Sequence, residues 1–210
     1  MTSVMHLDGL IFQQGLPEVH RECAATLYDE AFGQKFKVAV RSKKIRRSLL
    51  KRCFQRDHAF VAIAGDKLVG IAGFHTVKGS FTGGMTYEEL ISLLGFVAGS
   101  WAAVIFSFYE RTSEKGVLLM DGIAVHRDFR GVGIGGKLLD ELVVYAEKNK
   151  YEKVRLDVID TNPKAKKLYE RVGFGAVGTQ RFPYLRWLLG FGGSTTMELN
   201  VQTQNKRTAS

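Results

Sequence analysis

The feature that most limits what this chain can fold into is the segment Arg130-Gly131-Val132-Gly133-Ile134-Gly135-Gly136, which packs four glycines into six residues. It stands between an apolar β-rich run, Val117 to Val125, and a stretch with helical periodicity, Gly133 to Asn149, whose Leu138, Leu139, Leu142 and Val143 share one face. Glycine loses more backbone freedom on folding than any other residue, so a plain connector seldom uses so many. A glycine loop that feeds a strand into a helix lets backbone amides approach an anion, and the helix N-terminus adds partial positive charge.

Three anion-binding patterns overlap in this loop. Gly131, Gly133 and Gly136 fit G-x-G-x-x-G, and Asp157 lies about twenty residues on, as a dinucleotide unit requires. Against that pattern, the loop opens five residues after Val125, and too little chain follows to complete a doubly wound sheet. Gly131 with Gly136-Lys137 fits a nucleotide phosphate loop, but the next residue is Leu138, where a magnesium-binding hydroxyl is needed. The third pattern, Arg130-x-x-Gly133-x-Gly135, is a pyrophosphate cradle of successive amides with an arginine beside it.

Around this loop the sequence predicts a strand at Leu10 to Gln14, a helix over Glu18 to Phe32 closed by Gly33, and a basic helix from Ser42 to about Phe54. A hairpin follows, His58 to Ala64 and Leu68 to Phe74, joined through Gly65-Asp66-Lys67. Val154 to Ile159 reads as a buried strand, Asn162 to Val172 as a short helix, and Phe174 to Gly178 and Thr196 to Val201 as strands. The expected organisation is one domain over residues 1–201, with an insertion at about 79–115 and a flexible tail from 202 to 210. The longest uncharged run, Leu90 to Tyr109, has the length of a bilayer crossing. A crossing would divide the domain, so the run is expected to be an apolar helical insertion, lining a pocket or offering a face for a homodimer, with no membrane span.

The second half of the pattern sits downstream. Ile123-Ala124-Val125-His126-Arg127-Asp128-Phe129-Arg130-Gly131 and Asn162-Pro163 through Leu168-Tyr169-Glu170-Arg171-Val172-Gly173-Phe174 together resemble the GNAT (GCN5-related) N-acetyltransferases, strongly from Val117 to Phe174. The resemblance implies an α/β fold with a mixed central sheet of about six to seven strands flanked by helices; it is absent from the apolar insertion, which is expected between the third and fourth strands. It implies acetyl-CoA as acyl donor, an amine acceptor, and no metal. In that family the strand matching Gly122 to Val125 splays from its neighbour, so Ile123, Ala124 and Val125 are expected at pantetheine. Arg130, Gly131, Val132, Gly133, Ile134, Gly135 and Gly136 are expected at the pyrophosphate, and Asn162 at the cofactor from the short helix. Tyr169 holds the family's general-acid position.

For the base, Asp121 is the one carboxylate in the apolar strand, and it lies close to where the thioester is expected. A structural acceptor or a water-positioning group is the equal alternative, and His75 and His126 are weaker candidates. The acceptor pocket is not fixed. Asp29 and Glu30 would attract an ammonium, the basic helix would favour an acidic acceptor, and Arg181 to Leu188 offers aromatic surface. The net charge is +9, and ten of the thirty basic residues fall between Lys35 and Arg56. That balance is the footprint of a polyanion or of a solvated helix face, so nucleic acid binding, or a non-catalytic acyl-CoA sensor on the same fold, stands as the alternative to an enzyme. Two unpaired cysteines, Cys23 and Cys53, and no leader fit the cytoplasm.

Overall fold

The computed structural model of the protein describes residues 7, 9–107 and 114–201. The expected tail and residues 108–113, at the end of the expected insertion, lie outside these. One sheet runs in the order β1 (Leu10–Gln14), β2 (Ala59–Ala64), β3 (Lys67–Thr76), β5 (Val117–Val125), β6 (Lys153–Ile159), β8 (Gly193–Asn200), β7 (Gly175–Arg181), with the short β4 (Gly79–Ser80) paired to β3 off that path. Every pairing is antiparallel except β5 with β6. A parallel pair needs a crossover, and α5 (Ile134–Lys148) supplies it. The mixed α/β sheet flanked by helices is therefore the fold the sequence predicts.

Strand alternation divides the core into two faces. Phe60, Ala72, Leu118 and Leu156 meet Leu138, Leu139 and Leu142 of α5 on one side. Val61, Ile63, Ile71 and Ala124 meet Ala24, Ala25, Leu27 and Tyr28 of α1 (Arg21–Lys37) on the other. Each leucine buried this way contributes about 1.5–3 kcal/mol.

α1 departs from expectation: it runs through Gly33 instead of ending there. A Cβ on Gly33 would come 2.8 Å from Asp29 Oδ1 and 3.4 Å from Arg46 Nη2, so the glycine makes room for a helix-to-helix clamp rather than stopping the helix. In the clamp, Arg46 of α2 (Lys43–Cys53) donates to Asp29 at 2.6 Å, with both side chains nearly buried. Arg46 also donates to the carbonyls of Val40 and Arg41. Ser42 caps α2 as predicted, its hydroxyl accepting from the Ile45 amide.

The apolar run folds into two helices, α3 (Tyr87–Leu94) and α4 (Phe96–Ser107), broken at Gly95. No helix among the described residues is long and apolar enough to cross a membrane. Leu90 and Ala102 pack with Val40, Leu49 and Cys53, which ties the pair to α2. On the opposite side Phe96, Val97, Trp101 and Val104 remain exposed.

Candidate active site

β5 pairs with β6 through only three rungs, Val117 with Lys153, Leu118 with Val154 and Leu119 with Arg155. Beyond Leu119 the two strands part, while β5 stays bonded to β3 as far as Val125. The direction of the freed groups follows from strand geometry. The His126 amide donates to Val69 on β3, and a strand turns successive residues to alternate sides. Ala124 therefore bonds β3, whereas Ile123 and Val125 present amide and carbonyl to the gap that β6 has left. The Val125 carbonyl accepts from Arg130 Nε at 3.0 Å, as expected of a group on that side.

The glycine segment lies at the end of this gap. Gly131 (φ +87) and Gly133 (φ +95) have left-handed backbones that a residue with a side chain adopts only under strain. Gly133 caps α5, whose first amides have no acceptor within the helix. Gly131 and Gly136 face open space, and Val132 is half-buried against the core. A Cβ on Gly135 would come 3.2 Å from Leu168 of α6 (Pro163–Val172) and 3.9 Å from Ile123 and Val125, so the loop, α6 and the freed strand edge converge there. Asn162 sits at the same end as the N-cap of α6, its Oδ1 accepting from the Ala165 amide.

Tyr169, also on α6, is 5% exposed within the α5-side core. Burial pushes its phenol above the usual tyrosine range, so it stays protonated at neutral pH. Asp157, the acid that a dinucleotide site would need, instead accepts from the Thr196 hydroxyl on β8.

Asp121 owes its direction to a bulge. The β3–β5 register steps from Gly73 opposite Gly122 to Phe74 opposite Met120, leaving Asp121 as the extra residue. Met120 and Leu118 pack on the α5 side, and Gly122 faces α1, where a Cβ would lie 2.5 Å from the Phe32 ring. The bulge thus turns Asp121 to the α1 side with Gly122, as bulges beside functional sites commonly do. There it lines a cavity of about 890 Å³ together with His75.

Aromatic and aliphatic chains wall this cavity: Tyr28, Phe32 and Phe36 from α1, Leu90 from α3, and Ala103 and Phe106 from α4. Of the expected pocket elements, the insertion therefore takes part. Arg181 to Leu188 does not, since its Tyr184 and Trp187 are 71% and 82% exposed and none of its described residues lines the cavity. Asp29 is a correction as well: its carboxylate is held by Arg46 and, at 3.6 Å, by Arg47, and is not offered to a ligand. His126 is engaged outside the cavity, its Nδ1 accepting from the Asp128 amide. The wall of Tyr28, Phe32 and Phe36 escaped the sequence reading, although its spacing of four was a visible signal. Such a stripe reads as ordinary core.

A family model described as the acetyltransferase (GNAT) family matches residues 24–174. A spermine/spermidine N(1)-acetyltransferase of Bacillus subtilis (strain 168) is 29% identical over 92 residues, 43% of this chain and 57% of that protein. The chain thus spans little more than half the length of the curated relatives it matches. Among solved structures, YncA of Salmonella typhimurium, solved with its cofactor acetyl-CoA, shares 13% identity at a TM-score of 0.59, covering 92% of this chain and 95% of that one. The ribosomal-protein-S18-alanine N-acetyltransferase of Escherichia coli shares 18% identity at a TM-score of 0.54, covering 91% and 94%. These two likenesses carry the fold alone.

Proposed function

Because this chain belongs to the acetyltransferase (GNAT) family, we propose that it transfers the acetyl group of acetyl-CoA to a primary amine of a small molecule or peptide. The observation that carries this reading is the early end of the β5–β6 pairing, which frees a polar strand edge beside a glycine cradle. The residues fit the donor. The freed groups of Ile123 and Val125 suit the amides of a pantetheine arm, Ala124 fixes the strand to β3, and Arg130 to Gly136 offer amides and charge to a pyrophosphate. Asn162, the N-cap of α6, and Tyr169, further along the same helix, are taken as the side chains that reach the donor from that side.

Bound there, acetyl-CoA supplies a thioester carbonyl carbon that takes the lone pair of the amine as its carbon–sulfur bond breaks. The Ile123 amide donates to the carbonyl oxygen as negative charge develops on it. Asp121 takes the proton lost by the amine nitrogen, directly or through one water, and the Tyr169 hydroxyl gives a proton to the departing sulfur. A donor must hold its proton until it is needed, and the upward push that burial gives Tyr169 keeps it in that form.

Free-thiol release from acetyl-CoA across a panel of amines tests the reading. Amine-dependent release is expected; acetyl-CoA that fails to protect the protein against thermal unfolding would overturn the donor assignment. Protection without release for any amine would favour the acyl-CoA sensor. The names of the Bacillus subtilis relatives put polyamines on the panel. The nucleic-acid alternative loses ground to the ion pairs of α2, whose Arg46, Arg47 and Lys51 meet Asp29, Glu30 and Glu22 of α1.

A further inference from the structure

We propose that the outer face of α4 and the turn between α1 and α2 together form a docking surface for an anionic phospholipid membrane. Two features that acyl transfer leaves unused, the apolar insertion and the basic stretch from Lys35 to Arg56, meet there. Trp101 Nε1 donates to the Val38 carbonyl at 3.3 Å, and Ala39, Val40 and Ile45 pack in one cluster with Ala102 and Ala103 of α4. The basic stretch itself divides in two. Arg46, Arg47, Lys51, Arg52 and Arg56 meet Asp29, Glu30, Glu22, Glu89 and Glu18 respectively, and so tie helices together. Lys37, Arg41, Lys43 and Lys44 lie at the turn, are all exposed, and form no ion pair among the described residues. Lys43 and Lys44 also open α2, which has no acid in its first turn. Cations there oppose the partial positive charge of a helix N-terminus, a local cost that an anionic surface would offset.

The apolar half of the surface fits lipid better than protein. Phe96 and Val97 are 70% and 82% exposed, with Trp101 and Val104 about half exposed beside them, and α4 carries no charged residue. Its polar side chains are already satisfied: Ser100 Oγ bonds the Tyr87 hydroxyl, the Trp101 indole N–H bonds Val38, and Ser107 Oγ donates to the Val104 carbonyl. Hydrocarbon offers no hydrogen bonds, so a helix face that enters it must meet this condition, whereas a protein interface usually carries about one hydrogen bond per 100–200 Å². A tryptophan next to exposed lysines and an arginine suits the boundary between headgroups and acyl chains. A second copy would set the patch against itself and bring its cations no opposite charge. Ala103 and Phe106 on the inner side of α4 line the candidate acceptor cavity, so the docking surface and the cavity share one helix.

Co-sedimentation of the full chain with lipid vesicles tests the proposal. Mixed phosphatidylglycerol and phosphatidylcholine vesicles should bind at least about tenfold more tightly than phosphatidylcholine alone, and salt should weaken that binding. Val97→Asp and, separately, Phe96→Ser should each lower the affinity several-fold, with the thermal midpoint and acetyl-CoA affinity unchanged because both positions are exposed. Lys43→Glu with Lys44→Glu, which suits the first turn of α2, should lower it at least about tenfold. The charge-matched pair Lys148→Glu with Lys150→Glu, at the end of α5 across the sheet from α1, should lower it much less. Equal losses from the two pairs would mean that net charge alone draws the chain to lipid, and would overturn the proposal. So would failure to bind the anionic vesicles, or vesicle binding indifferent to Val97→Asp and Phe96→Ser. A dimer in solution that Val97→Asp dissolves, in protein that does not sediment with vesicles, would assign the face to a second copy instead. Each of these outcomes leaves the acyl-transfer reading standing, since that rests on other residues.

Discussion

The two sides of β5 are built by different means. Toward β6 the candidate donor cleft is made of backbone: the amides of Ile123 and Val125, the Ile123 carbonyl, and a glycine loop that opens α5. Toward α1 the candidate acceptor cavity is made of side chains, with aromatic rings from three helices above one carboxylate on a bulge. A backbone site demands particular residue types at fixed spacing, since only glycine takes the left-handed turns and lets chain approach ligand. A side-chain site demands only shape and polarity, which many residue combinations satisfy. The first kind leaves a motif and the second does not.

The contrast can be broken most severely at the clamp that holds the acceptor wall. Asp29→Asn leaves Arg46 buried without its counter-charge, and loss of one partner of a buried pair costs about 3–5 kcal/mol. Urea denaturation should show that loss, with amine turnover falling alongside it; an unchanged midpoint would mean that α1 and α2 are held by apolar packing alone. Next in size, Tyr169→Phe should lower kcat about 100-fold, within the usual range for loss of a positioned proton donor, with acetyl-CoA affinity nearly unchanged. A weakened Kd at full kcat would make Tyr169 a binding group and remove the acid role.

Gly133→Val forces a β-branched residue into a left-handed backbone, a strain of about 1–3 kcal/mol. Calorimetry should find acetyl-CoA affinity reduced roughly tenfold or more, consistent with that strain, while binding of the amine alone is spared. Equal losses on both sides would erase the proposed division between cleft and cavity.

The smallest expected effect is on pH dependence, and it comes from the end of β3. His58 contacts Thr76 and Phe74; burial lowers its pKa from 6.5, with Asp57 opposing and His75 adding to the shift. In the unfolded chain the imidazole then gains its proton first as pH falls. Stability should be highest above pH 6.5, decline below it, and level off once folded His58 is protonated. Thermal midpoints across pH 8 to 5 should fall less in His58→Gln than in the parent, over a range ~3 units wide around the histidine value. Tyr169 contributes nothing in that window, because its phenol is pushed upward instead.

How far the sequence could be read follows the same division. The strand order through β5, α5, β6 and α6, the capping by Ser42, and the glycine turn that opens α5 were all legible, because caps and left-handed turns need named residues. The reading of Gly33 as a helix stop failed because the same glycine serves the close approach of Asp29 and Arg46, a tertiary reason invisible locally. Asp29 looked like a free acid because its partner lies 17 residues away. The bulge at Asp121 left no mark in an unbroken apolar run, since it arises from the register with β3. The apolar stretch from Leu90 is helical as expected, but its break at Gly95 and its place over the cavity follow from packing against α2.

Residue-resolved amide hydrogen exchange with and without acetyl-CoA tests the central claim most directly, since that claim concerns individual backbone groups. The account predicts that acetyl-CoA slows exchange at Ile123 and Val125 and across the loop from Gly131 to Gly136, while Ala124, already bonded to β3, is unchanged. Acetyl-CoA that binds without slowing Ile123 and Val125 would contradict it, because the freed edge of β5 would then have no part in holding the donor.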